Sequence, residues 1–136
     1  MKTAAILLLV ASSLLSAADV KWETSLDAAQ KRAKAENKQI FMTVSTGWCG
    51  WCRKLEKETF PSPQAQAVLA RMVPLDVSTQ DAQGKPTKDN FIEAKYKPEG
   101  FPTLYILEAD GTKVASQAGY LGPQDFAHWV TQNAKK

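Results

Sequence analysis

The stretch IFMTVSTGWCGWC, residues 40–52, contains the pattern that decides the fold. Its first six residues are apolar, β-branched or small, and they predict a short buried strand. Gly47 interrupts that pattern, and the residues from Cys49 to about Phe60 then favour a helix. Cys49 and Cys52, the two cysteines of the chain, are therefore predicted in the first turn of a helix that follows a strand.

The position of these two cysteines favours thiolate chemistry. The start of a helix presents unpaired backbone N–H groups and the positive end of the helix dipole, and both stabilise a thiolate. Because the thiolate is the nucleophile in disulfide exchange, Cys49 is predicted to attack a substrate disulfide from the exposed end of the loop. Cys52, one turn deeper, is predicted to resolve the mixed disulfide.

Other uses of a cysteine pair fit the sequence less well. A c-type haem site needs His directly after the second cysteine, where this chain has Arg53. Zinc needs about four ligands and an iron–sulfur cluster needs more cysteines, whereas the chain offers two cysteines and the distant His128. An inert structural disulfide is the remaining alternative, although so short a loop removes little entropy from the unfolded chain.

The rest of the chain alternates between helical and strand patterns. Helices are predicted at 26–37, 49–60, 63–71, 89–97 and 123–132, and strands at 40–45, 72–77, 103–108 and 112–117. Thr24 begins a capping box before the first helix, and Asp110-Gly111 is a hairpin turn signal. This order predicts an α/β fold in which helices flank both faces of a mixed sheet, with an antiparallel hairpin last.

Residues 1–18 are predicted to be a secretory signal. Lys2 precedes an apolar run over 4–15, and small residues follow at 16–18, which suits cleavage after residue 18. The apolar run is shorter than the roughly 20 residues that span a bilayer, and an uncleaved N-terminal anchor is the alternative. We therefore expect one exported domain, residues 19–136, without a stable membrane anchor after cleavage.

The composition excludes several classes of protein. The chain has 136 residues, of which 44% are hydrophobic, so it can bury the core of one domain and is neither disordered nor of low complexity. Its formal net charge of +3, which the loss of Lys2 lowers to +2, is too weak for a dedicated nucleic-acid binder. Outside the cytosol, thiols tend to be oxidised, so the cysteines of an exported protein usually occur as disulfide-bonded pairs.

Two motifs together resemble the thioredoxin superfamily. WCGWC at 48–52 surrounds the cysteine pair, and GFPT follows at 100–103. Supporting features are Trp22, Lys38 and the LExxTF pattern at 55–60. The pattern covers residues 20–132 and is most similar to exported thioredoxin-like proteins akin to the C-terminal domain of DsbD and to DsbH.

The resemblance implies a thioredoxin fold with an extra N-terminal helix, and an exported thiol:disulfide oxidoreductase that reduces or isomerises disulfides in client proteins. Pro102 would form a cis peptide bond beside the cysteines, and the backbone of Phe101 would meet an extended substrate. Trp48, Gly50 and Trp51, which surround the cysteines, are further candidates for contact with a client. A membrane thiol carrier of the DsbD type would supply electrons. No metal or organic cofactor is expected, since electrons travel as the cysteine dithiol.

One departure from the thioredoxin pattern concerns the proton of Cys52. Thioredoxins carry a buried Asp six residues before the first cysteine, which accepts that proton, and Thr43 stands there in this chain. We expect Glu56, four residues after Cys52 on the same helix face, to handle the proton through water. The alternative is that Glu56 is a solvated residue paired with Arg53 or a neighbouring lysine.

A second departure lies between the cysteines, where thioredoxin has Gly-Pro and this chain has Gly50-Trp51. Oxidants and isomerases of the superfamily usually carry a charged His there, so the uncharged Trp51 favours a more reducing couple. Trp51 is expected to be exposed. For Trp48, packing against the sheet is favoured, and a place with Trp51 in an exposed apolar rim for client proteins is the alternative. Two other functions stay open: a net dithiol oxidase, and a non-catalytic binding or chaperone-like module with the same fold.

Overall fold

The computed structural model describes residues 20–136 of the chain. The predicted leader, residues 1–18, lies outside the described residues, so its cleavage and the domain boundary at residue 19 stay predictions. No helix within residues 20–136 combines the length and the apolar character needed to cross a membrane.

The described residues form five α-helices and four strands in the predicted order. The helices are α1 (Leu26–Glu36), α2 (Gly50–Lys54), α3 (Pro63–Leu69), α4 (Phe91–Tyr96) and α5 (Pro123–Asn133), and α2 continues as a π-helical turn over Leu55–Thr59. The strands are β1 (Ile40–Ser45), β2 (Val73–Ser78), β3 (Thr103–Leu107) and β4 (Lys113–Ala118).

Strand β1 is central in the sheet, and all six of its residues are buried. It pairs in parallel with β2 and antiparallel with β3, and β3 pairs antiparallel with β4, so the strand order is β2-β1-β3-β4. Gly111, with φ 89°, permits the turn between β3 and β4. The expected mixed sheet with a terminal hairpin is therefore confirmed.

The two faces of the sheet are covered by different helices, because successive strand residues point to opposite sides. Helices α1 and α4 cover one face, and α2 with its π-helical turn, α3 and α5 cover the other. The first core includes Leu26, Ala33, Ile40, Met42, Leu75, Ile92 and Tyr105. The second core includes Phe41, Leu55, Phe60, Leu69, Leu104, Ile106 and Phe126.

The helix after the cysteines differs from the continuous α-helix that the sequence predicted over 49–60. The α-helix ends at Lys54, and the N–H of Phe60 donates to the carbonyl of Leu55 at 3.1 Å in a π-helical turn. Such turns are rare and occur often at functional sites. Glu56 lies in this wider turn, so the α-helical spacing from Cys52 that the sequence predicted does not describe its direction.

The ends of two other helices differ from the prediction. Ser25, rather than Thr24, caps α1, because its Oγ accepts the N–H of Ala28 at 3.2 Å. The helix predicted over 89–97 is shorter, and it ends where Lys97 adopts a left-handed conformation with φ 51°. Both differences lie at helix ends, where a side-chain hydrogen bond or one backbone angle decides the boundary.

The ring of Phe41 lies at the centre of an aromatic cluster. It meets the rings of Phe126, Phe60 and Trp22 edge-on, with centroids 5.1, 5.8 and 6.1 Å apart. Phe41→Ala is expected to lower the free energy of unfolding by about 3–5 kcal/mol, because it leaves a cavity in a packed core. Urea unfolding followed by circular dichroism measures the loss.

The matched control is Phe91→Ala, since the Phe91 side chain is 51% exposed. It is expected to cost less than about 1 kcal/mol. Equal losses in the two variants would show that β1 does not pass through the centre of the core.

Candidate active site

The cysteine pair lies where β1 delivers the chain to the start of α2. Cys49 is the N-cap of that helix, and its Sγ accepts the N–H of Cys52 at 3.1 Å. The sulfur atoms of Cys49 and Cys52 form a disulfide. When that bond is reduced, the same N–H and the positive end of the helix stabilise a thiolate on Cys49.

Both cysteines are buried, which corrects the expectation that Cys49 lies at an exposed end of the loop. Cys49 is 4% exposed and Cys52 is 1% exposed. The cap geometry gives the reason, because the Cys49 side chain turns back over the first helical turn toward Cys52. The small remaining surface is larger on Cys49, so a partner sulfur approaches the pair from that side.

The stretch 100–103 reaches the same end of the sheet as the cysteines. Its last residue begins β3 and pairs with Val44, close to the end of β1. The Phe101–Pro102 peptide bond is cis, and the ring of Trp48 meets that of Phe101 edge-on with centroids 5.8 Å apart. The two motifs that are distant in sequence therefore meet through aromatic side chains.

Four aromatic side chains, Trp48, Trp51, Phe101 and Tyr120, are called the aromatic rim below. Trp48 is 53% exposed and Trp51 is 58% exposed. The Trp51 ring lies 5.7 Å from that of Tyr120, and the Lys54 Nζ lies 5.1 and 5.0 Å from these two ring centres. The expectation that Trp51 is exposed is confirmed, whereas the expectation that Trp48 packs against the sheet is wrong.

The polar loop between β2 and α4 holds Trp48 away from the sheet. Trp48 Nε1 donates to Gln80 Oε1 at 2.9 Å, and Gln80 Nε2 donates to Glu93 Oε1 at 2.8 Å. The N–H of Gly47 donates to the Gln80 carbonyl at 2.8 Å, and a Cβ on Gly47 would lie 2.5 Å from the nitrogen of Ala82. The sequence analysis missed Gln80, because no local pattern predicts where a polar loop docks.

Glu56, in the π-helical turn that continues α2, forms an ion pair with Arg53. Its Oε1 lies 3.2 Å from Arg53 Nη2, which also donates to the carbonyl of Thr46 at 3.2 Å. This pairing matches the alternative that the sequence left open. Glu56 also borders a cleft of about 310 Å³, which is lined by Trp22, Glu56, Phe60, Pro61, Gln66 and Asp76.

Asp76 is a second carboxyl group in this cleft, and the sequence analysis missed it. It lies on β2 directly opposite Thr43 of β1. Burial, and secondarily the charge of Glu56, raise the pKa of Asp76 to about 6 against the opposing charge of Arg53. A charged residue within an otherwise apolar strand was the available signal, because such a residue faces either a partner or a cleft.

The structure thus brings together three groups: the disulfide, the aromatic rim and the Glu56–Asp76 cleft. Residues 20–136 contain no cluster of three or more His, Cys, Asp or Glu side chains that could hold a metal ion. His128 lies on α5 and is exposed. The arrangement supplies a sulfur pair for exchange and carboxyl groups for proton transfer.

Comparisons with known proteins define the family. The family model of the thioredoxin-like domain matches residues 26–134, and the chain belongs to this family. Disulfide bond reductase DsbH of Chlamydia pneumoniae is 31% identical over 108 residues, which cover 74% of this chain and 64% of that protein. Thiol:disulfide interchange protein DsbD of Actinobacillus pleuropneumoniae is 25% identical over 105 residues, which cover 76% of this chain and 18% of that protein.

A solved structure of a DsbH oxidoreductase shares the fold. It aligns with a TM-score of 0.66 and 23% identity, over 91% of this chain and 88% of that one. Of the two relatives compared by sequence, the chain spans somewhat less than two thirds of the DsbH protein and less than a fifth of the DsbD protein. The predicted family and fold are confirmed, and this thioredoxin-like chain carries the Cys49–Cys52 disulfide at the start of α2.

The raised pKa of Asp76 predicts how stability depends on pH. The folded protein binds the proton of Asp76 more tightly than the unfolded chain, so this group stabilises the fold at low pH, and that stabilisation is lost as pH rises through about 6. Asp76→Asn is therefore expected to stabilise the protein at about pH 8, by on the order of 2 kcal/mol, and to change little at about pH 4.

Urea unfolding of both proteins across this pH range measures the difference. Asp125→Asn is the matched control, because Asp125 is an exposed carboxylate in the first turn of α5. A constant difference between wild type and Asp76→Asn at all pH values would contradict the assignment of a raised pKa to this carboxyl.

Proposed function

We propose that this chain catalyses thiol–disulfide exchange with other proteins, with Cys49 as the attacking sulfur and Cys52 as the resolving one. The observation that carries this proposal is the position of Cys49 Sγ at the N-terminus of α2, in hydrogen-bond contact with the N–H of Cys52. Cys52 lies one turn further in and is 1% exposed. That burial suits it to attack the neighbouring sulfur rather than an external one.

The proposed reaction moves two electrons through the sulfur pair. The Cys49 thiolate attacks one sulfur of a client disulfide, forms a mixed disulfide and releases the other client sulfur as a thiolate. The Cys52 thiolate then attacks Cys49, forms the Cys49–Cys52 disulfide and releases the second client sulfur. The client is reduced and this chain is oxidised, so a dithiol donor must reduce it again.

The direction that we propose is reduction or isomerisation of client disulfides. Trp51 adds no positive charge between the cysteines, so the thiolate of Cys49 is less extreme than one beside a charged histidine. The DsbH relative is named a disulfide bond reductase. A net oxidase is the alternative within the same chemistry.

The aromatic rim is the surface that we propose for clients, together with Gly50 and Pro102. Exposed tryptophan rings are an apolar surface that suits unfolded or extended chains. A Cβ on Gly50 would meet no atom within 4 Å, so the approach to the disulfide is open there. Within residues 20–136 no hydrogen bond occupies the backbone of Phe101, which leaves it available to an extended client segment.

We propose that residues 19–136 act after export, with the leader removed. The apolar run over 4–15 and the small residues before position 19 support this location. The relative named thiol:disulfide interchange protein DsbD supports a thiol carrier of that type, in the membrane, as the electron donor. Glu56, which borders the cleft beside α2, is the carboxyl that we propose to connect Cys52 with water for proton transfer.

Reduction of insulin by dithiothreitol tests the catalytic proposal. Wild type is expected to accelerate precipitation of the insulin chains, and Cys49→Ser is expected to abolish the acceleration, because it removes the attacking sulfur. Cys52→Ser is expected to leave mixed disulfides on Cys49, which are visible by non-reducing electrophoresis. A wild type that binds reduced insulin but does not speed its reduction would establish a binding module instead.

Redox equilibrium with glutathione tests the proposed direction. Trp51→His is expected to shift the equilibrium constant about tenfold toward the dithiol form, or roughly 30 mV, because a positive charge beside Cys49 stabilises its thiolate. Trp51→Phe is the matched control and keeps an uncharged ring. A wild type that is already as oxidising as Trp51→His would favour the net oxidase.

A further inference from the structure

Resolution of the mixed disulfide requires Cys52 to lose a proton. The thiol is buried at 1% exposure, and burial disfavours its ionised form. On β1, Thr43 lies on the sheet face that α2, α3 and α5 cover, and its hydroxyl is far too weak a base at neutral pH. A fast second step therefore needs another proton acceptor on this side of the sheet.

The carboxyl group of Asp76 lies on that side. Asp76 and Thr43 are partners in the parallel register of β1 and β2, so both side chains leave the same face of the sheet. Phe41, two residues before Thr43, belongs to the core beneath α2, α3 and α5, which identifies this face as the one that α2 covers. On this face of the sheet β1 carries Thr43 and no carboxyl, whereas the adjacent strand β2 carries the carboxyl of Asp76.

A cleft joins Asp76 to the π-helical turn that continues the helix of the cysteines. Asp76 and Glu56 both line the cleft of about 310 Å³, which is large enough to hold water and offers it several polar partners. Glu56 lies four residues after Cys52 along the same helical segment. The cleft therefore provides a path by which a proton can travel between the helix and the strand.

Charged groups lie around Asp76 on two segments of the chain. From α2 and its π-helical turn they are Arg53 and Glu56, which pair with each other. From the segment before α1, Glu23 hydrogen-bonds β2 through its backbone and directs its carboxylate to Arg32. The other facing side chains, from α3, β1 and the residues around them, are the uncharged Gln66, Thr43, Trp22, Phe60 and Pro61.

Asp76 has no fixed partner of its own. No residue within 20–136 donates a hydrogen bond or forms an ion pair to its carboxylate, whereas Glu56 is held by Arg53. An ionised carboxyl in a partly buried position without a partner lowers stability. Such a group is a functional candidate when it lies in a cleft beside a reactive pair.

We propose that Asp76 takes up the proton that Cys52 releases, through water in the cleft that it shares with Glu56. Strand β2 thereby supplies the proton acceptor that β1 lacks at Thr43. Asp76 is a positioning residue in this step, because it acts through water and Glu56 rather than by touching the sulfur. The inference rests on the proposed exchange activity of Cys49 and Cys52.

The Cys52 thiol gives its proton, through water and the Glu56 carboxylate, to water in the cleft, which passes a proton to the Asp76 carboxylate. The Cys52 thiolate attacks Cys49, the bond between Cys49 and the client sulfur breaks, and the client leaves as a thiolate. The proton then returns from Asp76 to solvent or to the client thiolate, so no further oxidant or reductant is needed.

The raised pKa of Asp76 suits this role. At about 6 the carboxyl is mostly ionised at neutral pH, so it can accept a proton, and it holds that proton more tightly than an ordinary aspartate does. Below about pH 6 it is already protonated and cannot act as a base. The second step of exchange should therefore slow as pH falls through this value.

A single-turnover reaction with a chromogenic aromatic disulfide separates the two steps. Reduced full-length protein releases one coloured thiolate when Cys49 attacks and a second when Cys52 resolves. In wild type the second phase is expected to slow as pH falls through about 6. In Asp76→Asn it should be slower at neutral pH by about tenfold to a hundredfold and lose this inflection, while the first phase stays within about twofold.

Two further variants assign the effect to the cleft. Glu56→Gln is expected to slow the second phase, because the carboxyl that connects Cys52 with water is gone. It is also expected to move the inflection to lower pH, because the negative charge that helps to raise the pKa of Asp76 is lost. Thr43→Asp in the Asp76→Asn background is expected to restore the fast second phase, since it returns a carboxyl to the paired position on β1. Asp125→Asn, an exposed carboxylate on α5, is the matched control and should change neither phase.

An unchanged second phase and pH profile in folded Asp76→Asn would overturn the proposal. A missing first phase in wild type would instead refute the proposed exchange activity, so the two failures are distinguishable. Carboxyl NMR of wild type provides a measurement that needs no variant. The titration midpoint of Asp76 should differ between the disulfide and dithiol forms, and identical midpoints would also overturn the proposal.

Discussion

The double pairing of β1 is the constraint on which the rest of the structure depends. Because β1 is hydrogen-bonded to β2 on one side and β3 on the other, its two faces must both be apolar and both be covered by helices. Its direction then determines where the chain leaves the sheet. A short loop later, Cys49 caps α2, so the placement of sulfur at a helix N-terminus is a consequence of how the central strand is packed.

The residues around the cysteines come from segments that are far apart in the chain. Trp48 is held by Gln80 on one side and meets Phe101 on the other, while Trp51 meets Tyr120. Side chains that are already ordered lose less conformational entropy when a partner binds. Two large exposed rings would otherwise be mobile, and these contacts keep the aromatic rim in one arrangement beside the disulfide.

The carboxyl groups in the cleft beside the π-helical turn lower the stability of the fold. A carboxyl without a partner, such as that of Asp76, costs free energy wherever it is charged and partly buried. In this chain the carboxyl lies on β2, directly opposite Thr43 and on the same face of the sheet. The ion pair of Glu56 and Arg53 places two further charged groups on the helical side of this region.

Local patterns in the sequence determined the order of the elements, the bounds of β1 and the cysteine motif, because strand alternation, glycine breaks and helix starts are encoded by neighbouring residues. The same is true of the family, which rests on two short motifs. Tertiary structure alone decided that Cys49 is buried, that Gln80 holds Trp48 and that Asp76 lies opposite Thr43. The Gln80–Trp48 contact and the Asp76–Thr43 pairing depend on loop docking and strand register between segments more than thirty residues apart. The burial of Cys49 depends on one side-chain rotation at a helix cap. No local sequence pattern specifies any of the three.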